Sequence, residues 1–208
     1  MSVNIDALLQ TTWLKAIRLR NMKEFKEGEG RLLWNRCVKD IIHVQTALEM
    51  AKLDEESRQH ILYAQCALLD EVVTGRNVQD DAFLQWNGIS LQKYFLGITD
   101  AGNELCDRMW KILHDPTAHS AVLTCFQRVL LLGFLGKYQA LYDLERGRLV
   151  KALNERLKPV NGQQKPLTQR PSQTRYDLAE WLTLWPTRLG LGVLALGLVW
   201  LGYDYWLM

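Results

Sequence analysis

This chain of 208 residues has no excess of either charge. It carries 25 lysines and arginines against 23 aspartates and glutamates, for a net charge of +2. A phosphate-binding face needs a basic surplus, so the balance argues against nucleic acid as a partner. Cysteine is sparse. Cys37, Cys66, Cys106 and Cys125 form no Cys-x-x-Cys pair, and most sit within apolar helical patterns. Such usage fits buried free thiols in a reducing compartment and speaks against a disulfide framework. Alternating runs of β-branched residues are missing, which excludes a sheet protein. There is no glycine-rich phosphate loop and no Gly-x-Ser-x-Gly elbow, and no internal repeat. The N-terminal "MSVNIDALLQTTWLKAIRLR" lacks the uninterrupted apolar core of a signal peptide.

What is present is helical periodicity. Over residues 1–157 apolar residues recur at three and four, which predicts an all-α bundle joined by short connections. A first helix is expected over 4–22. A second is expected over 29–52, with Leu33, Cys37, Ile41, Val44 and Leu48 on one stripe. "DEES" from Asp54 places acids in the first turn of a third helix, where the backbone dipole favours them. That helix should run to about Val73. One or two short helices are expected around Trp86, and another over 102–114, stopping before Pro116. Residues 117–139 read as one long apolar helix, broken or closely packed at Gly133 and Gly136. A last amphipathic helix should run to about Leu157.

The remainder divides at residue 158. Residues 158–183 form a linker and juxtamembrane segment, beginning with the proline- and glutamine-rich "KPVNGQQKPLTQRPSQTR". As flexible coil those first residues span about 20–25 Å. Residues 184–208 are expected to be a C-terminal transmembrane anchor. The uncharged core "LGLGVLALGLVWLGY" reaches only about 22 Å as a helix, but Trp185 to Trp206 reaches about 33 Å, enough for the hydrocarbon core. Trp185 and Trp206 fit the two interfaces, Trp200 lies within the span, and Arg188 can snorkel to one end. Basic residues precede the span and none follows it. The positive-inside rule then puts the N-terminal domain in the cytoplasm and the C-terminus in the periplasm of a single-pass inner-membrane protein.

The helix expected from Asp54 ends in two adjacent acids, Asp70 and Glu71. At a helix C-terminus each faces the negative end of the dipole, at a cost of a few tenths to about 1 kcal/mol. Neighbouring helix residues point about 100° apart, so the two are ill-placed as an acid/base pair. At least one leans toward the core and must be paired. It could cap the amides of a following loop, or pair with Lys137 or an arginine. The other could line a cleft that receives a partner. His114 and His119, with Cys106 and Cys125 on either side, include residue types that zinc accepts, but their spacing matches no known zinc motif. No metal, cofactor or catalytic residue is expected.

Three stretches carry a family resemblance: "YAQCALLDEVV" followed by Trp86, then "SLQKYFLGITDAGNELCDRMWKILHDP", then "LLLGFLGKYQALYDLERGRLVKAL". Their order and spacing resemble the DotU/TssL (IcmH-like) family of type VI secretion, which has relatives in type IVB secretion. The matching positions are Asp70, Glu71, Trp86, Gly133, Phe134, Gly136 and Tyr138. Family members usually read Gly-Phe-Glu-Gly-Arg-Tyr, whereas this chain has Leu135 and Lys137, so a bidentate contact through the arginine would be weakened. The resemblance implies a hook-like helical scaffold rather than an enzyme. It implies an inner-membrane neighbour of TssM/IcmF type and, through the complex, an outer-membrane lipoprotein of TssJ type. Baseplate subunits of TssK type would dock on the cytoplasmic domain, and a homodimer is possible within the family. Asp70, Glu71 and Trp86 are the candidate partner-binding or structural cleft. Gly133, Phe134, Gly136 and Tyr138 are candidate packing positions. Some relatives continue into a periplasmic peptidoglycan-binding domain, and this chain is expected to stop at its anchor. The competing readings are the same fold in a type IVB system and a membrane-tethered helical metalloenzyme with its metal near His114.

Overall fold

The fold is that of a computed structural model, which describes residues 3–22 and 24–158. The expected linker beyond Lys158 and the expected anchor, with Trp185, Arg188, Trp200 and Trp206, lie outside the described residues. Among the described residues there are helices and no strand, and no helix is long and apolar enough to cross a membrane.

The chain opens with α1 (Ile5–Leu8), capped by the Asn4 side chain, which accepts from the amide of Ala7 at 3.1 Å. α2 (Gln10–Asn21) follows after a turn at the fully buried Leu9. The single helix expected here is thus two segments, although Leu9 still donates to Ile5 and accepts from Trp13. α3 (Glu29–Met50) buries Leu33, Cys37, Ile41, Val44 and Leu48 on the expected stripe. Its Gly30 meets α5 (Asp81–Gly88) backbone to backbone: a Cβ there would lie 2.4 Å from the Asp81 carbonyl oxygen. The Asp81 carboxylate also accepts from the Gly30 amide at 2.7 Å.

α4 (Glu55–Thr74) is the axis of the bundle. Asp54 caps it by accepting from Ser57 at 2.8 Å, and Glu55 and Glu56 occupy its first turn. From Ile61 to Asp70 every residue is buried. A helix buried all round must be enclosed by others, and α4 packs against α2, α3, α5, α6 (Leu91–Leu96), α7 (Ala101–Leu113) and α8 (Ser120–Leu131). Each fully buried leucine on it, such as Leu68 or Leu69, contributes about 1.5–3 kcal/mol through burial. α7 turns Leu105, Cys106, Met109, Ile112 and Leu113 inward. α9 (Leu144–Arg156) closes the domain, with Asp143 accepting from Glu145 and Arg146 at its start.

Of the apolar helix expected over 117–139, only α8 forms, from Ser120 to Leu131, and of the two alternatives at Gly133 and Gly136 the break is the one observed. Gly133 (φ +87°) and Gly136 (φ +56°) adopt left-handed backbone that an α-helix cannot contain. The chain therefore runs without an α-helix from Leu132 to Asp143 before α9 begins.

Candidate functional site

The two acids at the end of α4 hold two different pieces of chain. Asp70 is 3% exposed. One of its oxygens, Oδ1, accepts from the indole Nε1 of Trp86 at 2.8 Å and from the amide of Leu91 at 3.0 Å. The other, Oδ2, accepts from the amide of Gln92 at 2.9 Å. Leu91 and Gln92 open α6, whose first amides have no partner within the helix. Ser90 caps the amide of Lys93 at 3.2 Å, and Asp70 takes the two before it. Burial pushes the Asp70 carboxyl up to about 6, against the pull of these donors. In its ionised form the carboxylate is purely an acceptor, matching this ring of donors. Trp86, itself buried at 3%, is drawn in by this bond and links α5 to α4.

Glu71 turns the other way, toward residues 132–143. Its Oε1 accepts from Leu135 at 2.8 Å, and its Oε2 accepts from Gly136 at 2.7 Å and more weakly from Leu135 at 3.1 Å. Burial raises its pKa, while the two amides and the charges of Arg20 and Arg146 act to lower it. Two carbonyls of the same segment, and one from the end of α8, are held by an arginine. Arg146, 6% exposed, donates Nε to Phe134 O at 3.0 Å, Nη1 to Leu141 O at 3.1 Å and Nη2 to Leu130 O. Both glycines are favoured by φ, and Gly136 is required by contact as well. A Cβ on Gly136 would come within 2.6 Å of Cys106 Sγ and of Gly102 O, and one on Gly133 within 2.3 Å of the Arg20 guanidinium. They pack closely, but against α7 and α2 from a loop, not within a helix. Phe134 is fully buried, and the Tyr138 hydroxyl accepts from Trp110 Nε1 at 3.1 Å.

Glu71 also lines an open cleft of 290 Å³ with Arg20, Val72, Arg76, Gly133, Leu135 and Leu141. Asp70 does not line it. The carboxylates are thus engaged by amide and indole donors on separate segments, an arrangement that braces loops. Lys137 pairs with Asp107 of α7 rather than with either acid. The histidines do not converge. His114 Nδ1 lies 2.7 Å from Trp110 O, and His119 Nδ1 caps α8 by accepting from Ala121 at 3.1 Å. Among the described residues no group of His, Cys, Asp or Glu is arranged to hold a metal, and all four cysteines are buried free thiols.

Sequence reasoning missed three buried charged side chains in this region, Arg146, Arg76 and Asp80. Arg146 reads as one polar residue of an amphipathic helix, and nothing in its local pattern marks it as interior. Arg76 and Asp80 form an ion pair at 2.8 Å with side chains 2% and 4% exposed. Asp80 also accepts from the amides of Phe25 and Phe83, and the Arg76 guanidinium lies 4.9 Å from the centre of the Phe25 ring. The signal for Asp80 was available: an aspartate three residues before Phe83 is a cap pattern at a helix start.

The comparisons with known proteins agree with one another. Residues 4–206 match the family described as type VI secretion system protein DotU. The crystal structure of T6SS SciP/TssL from enteroaggregative Escherichia coli 042 is 32% identical, with 80% of this chain and 95% of that one covered and a TM-score of 0.65. The cytoplasmic domain of TssL from Acinetobacter baumannii is 20% identical, with 75% and 98% covered and a TM-score of 0.67, and shares the fold. Among curated proteins no sequence match is found. A family match across nearly the whole chain, a relative of this identity and an all-helical core of the same fold lead to one assignment: the chain belongs to the DotU family of type VI secretion system proteins.

Proposed function

We propose that this protein is a non-enzymatic, membrane-anchored scaffold of a type VI secretion machine, sitting in the bacterial inner membrane with its helical domain in the cytoplasm. The observation that carries the reading is the family match, which extends to residue 206 and so takes in the uncharged run "LGLGVLALGLVWLGY" together with the helical domain. On this reading residues 184–208 cross the bilayer once and end in the periplasm. The helical domain stands beside an inner-membrane protein of TssM/IcmF type, connected through the complex to a lipoprotein of TssJ type. It receives baseplate subunits of TssK type and can pair with a second copy. The cleft beside Glu71 is the docking point this reading favours. It is open, carries the charges of Glu71 and Arg20 at its edge, and its wall is the loop that Glu71 and Arg146 hold in place.

The test is purification of the tagged full-length protein from gently solubilised membranes, with its partners identified by mass spectrometry. Recovery of the TssM-type and TssK-type proteins is the expected result. Recovery of type IVB components instead, or of neither set, would sink the proposal.

A further inference from the structure

α2 and α3 leave an open groove of 460 Å³ between them, lined by different residues from the Glu71 cleft. Its floor is apolar. Leu19 and Leu33 lie buried at its base, while Leu14, Met22 and Leu32 are 45%, 44% and 56% exposed along it. Single exposed leucines need no explanation, but here three partly exposed apolar side chains border one groove.

The rim is cationic. Arg18 on α2 and Arg36 on α3 both line the groove, and neither has a hydrogen bond or ion pair among the described residues. Arg18 stands in the last turn of α2, where a positive charge suits the helix dipole. Arg36 lies in the body of α3 and has no such reason. The third cation, Lys15, is already paired with Asp40 at 2.5 Å. The one carboxylate in the lining, Glu29, accepts from the amide of Lys26 at 2.8 Å. The groove is therefore apolar below and positive on both banks.

We propose that the α2–α3 groove is a docking site for an acidic amphipathic helix of a partner protein. An apolar stripe at helical spacing would cover the leucines and Met22, and carboxylates on its flanks would meet Arg18 and Arg36. Charge decides between occupants. A second copy of the same face would set guanidinium against guanidinium, and a basic helix would do the same. An anionic lipid surface shares the charge but not the shape, since a groove between two helices admits a third helix better than a plane.

The test uses the full chain in mild detergent and a fluorescent peptide of about sixteen residues, with leucines at i, i+3, i+4 and i+7 and glutamates on the flanks. Fluorescence anisotropy should show saturable binding that weakens with salt. Arg18→Glu with Arg36→Glu should weaken it about tenfold or more. Leu32→Ser should weaken it without changing the salt dependence, and a peptide with lysine in place of glutamate should not bind. Both arginines and Leu32 are exposed, so circular dichroism should show these variants folded. Absence of saturable binding, equal binding of the two peptides, or indifference to the double arginine variant would each overturn the proposal. So would loss of binding to mixed phosphatidylcholine–phosphatidylserine vesicles in that variant while peptide binding stayed unchanged, which would assign the groove to lipid.

Discussion

Replacing Asp70 with asparagine keeps the shape of the side chain and converts one acceptor into a donor. Two donors converge on Oδ1, so the least harmful orientation turns the new amide nitrogen toward the Oδ2 side, where the Gln92 amide donates. At least one buried N–H then loses its acceptor, at about 1–3 kcal/mol. The bonds from Trp86 and Leu91 also lose their charge assistance, which roughly doubles the strength of such contacts. The variant recovers part of this because it no longer buries a charge, the same burial that pushes the carboxyl up to about 6. The net expectation is a loss of about 2 kcal/mol, or about 4–8 °C in Tm for a domain of this size. Trp86→Phe removes a single donor and part of a ring, and should cost about 1–2 kcal/mol. Because the two groups share one bond, the double variant should lose less than the sum of the singles, by about 1 kcal/mol. Urea and thermal denaturation followed by circular dichroism would measure all three. A Tm for Asp70→Asn within about 1 °C of the parent would refute the reasoning, because the start of α6 would then not depend on the carboxylate.

Glu71→Gln should cost less stability than Asp70→Asn, since its site is half-open, yet reduce co-purification of TssK-type baseplate protein from membranes. Normal recovery of that protein would remove the Glu71 cleft from the docking proposal. Gly136→Ala should destabilise by more than about 2 kcal/mol through contact with Cys106 and Gly102, whereas Gly97→Ala, with φ +70° but open space around it, should cost only about 1 kcal/mol. Equal costs by urea titration would show that φ alone matters at both. Although burial pulls Asp80 upward, its bonds to Arg76, Phe83 and Phe25 leave its pKa below the ordinary value. Its contribution is therefore present above the unfolded carboxylate pKa of about 3.9 and is lost as pH falls below it. Acid titration of stability should be shallower in Asp80→Asn, and an unchanged slope would contradict this. Removing residues 177–208 should release a soluble helical domain, and an insoluble or unfolded product would place the apolar run within the core.

The legible parts of the fold were those written in local periodicity. The α3 stripe from Leu33 to Leu48 and the Asp54 cap of α4 needed only neighbouring residues to be read. The end of α8 did not belong to that class. Residues 117–139 keep an apolar rhythm past Leu131, and a glycine in such a run reads equally as a break or as a close contact. What stops the helix there is a set of partners far along the chain: Glu71, 64 residues before Leu135, and Arg146 on the next helix. The Asp70–Glu71 pair showed itself as a misfit with the dipole, and the structure shows both acids bonded to segments outside α4. Which groups answered each acid depended on how α5 and α6 fold back, which no spacing within α4 encodes. Arg146 was invisible for a related reason, since its acceptors are backbone carbonyls and carbonyls carry no sequence signature.

The segment between α8 and α9 has a mechanical consequence. Its amides are gripped by an anion on α4 and its carbonyls by a cation in the first turn of α9. A displacement of α9 would be passed through the Arg146 fork to the loop, and from the loop through Glu71 to α4. The tie between the last helix of the domain and its axis resides in two side chains rather than in a longer helix.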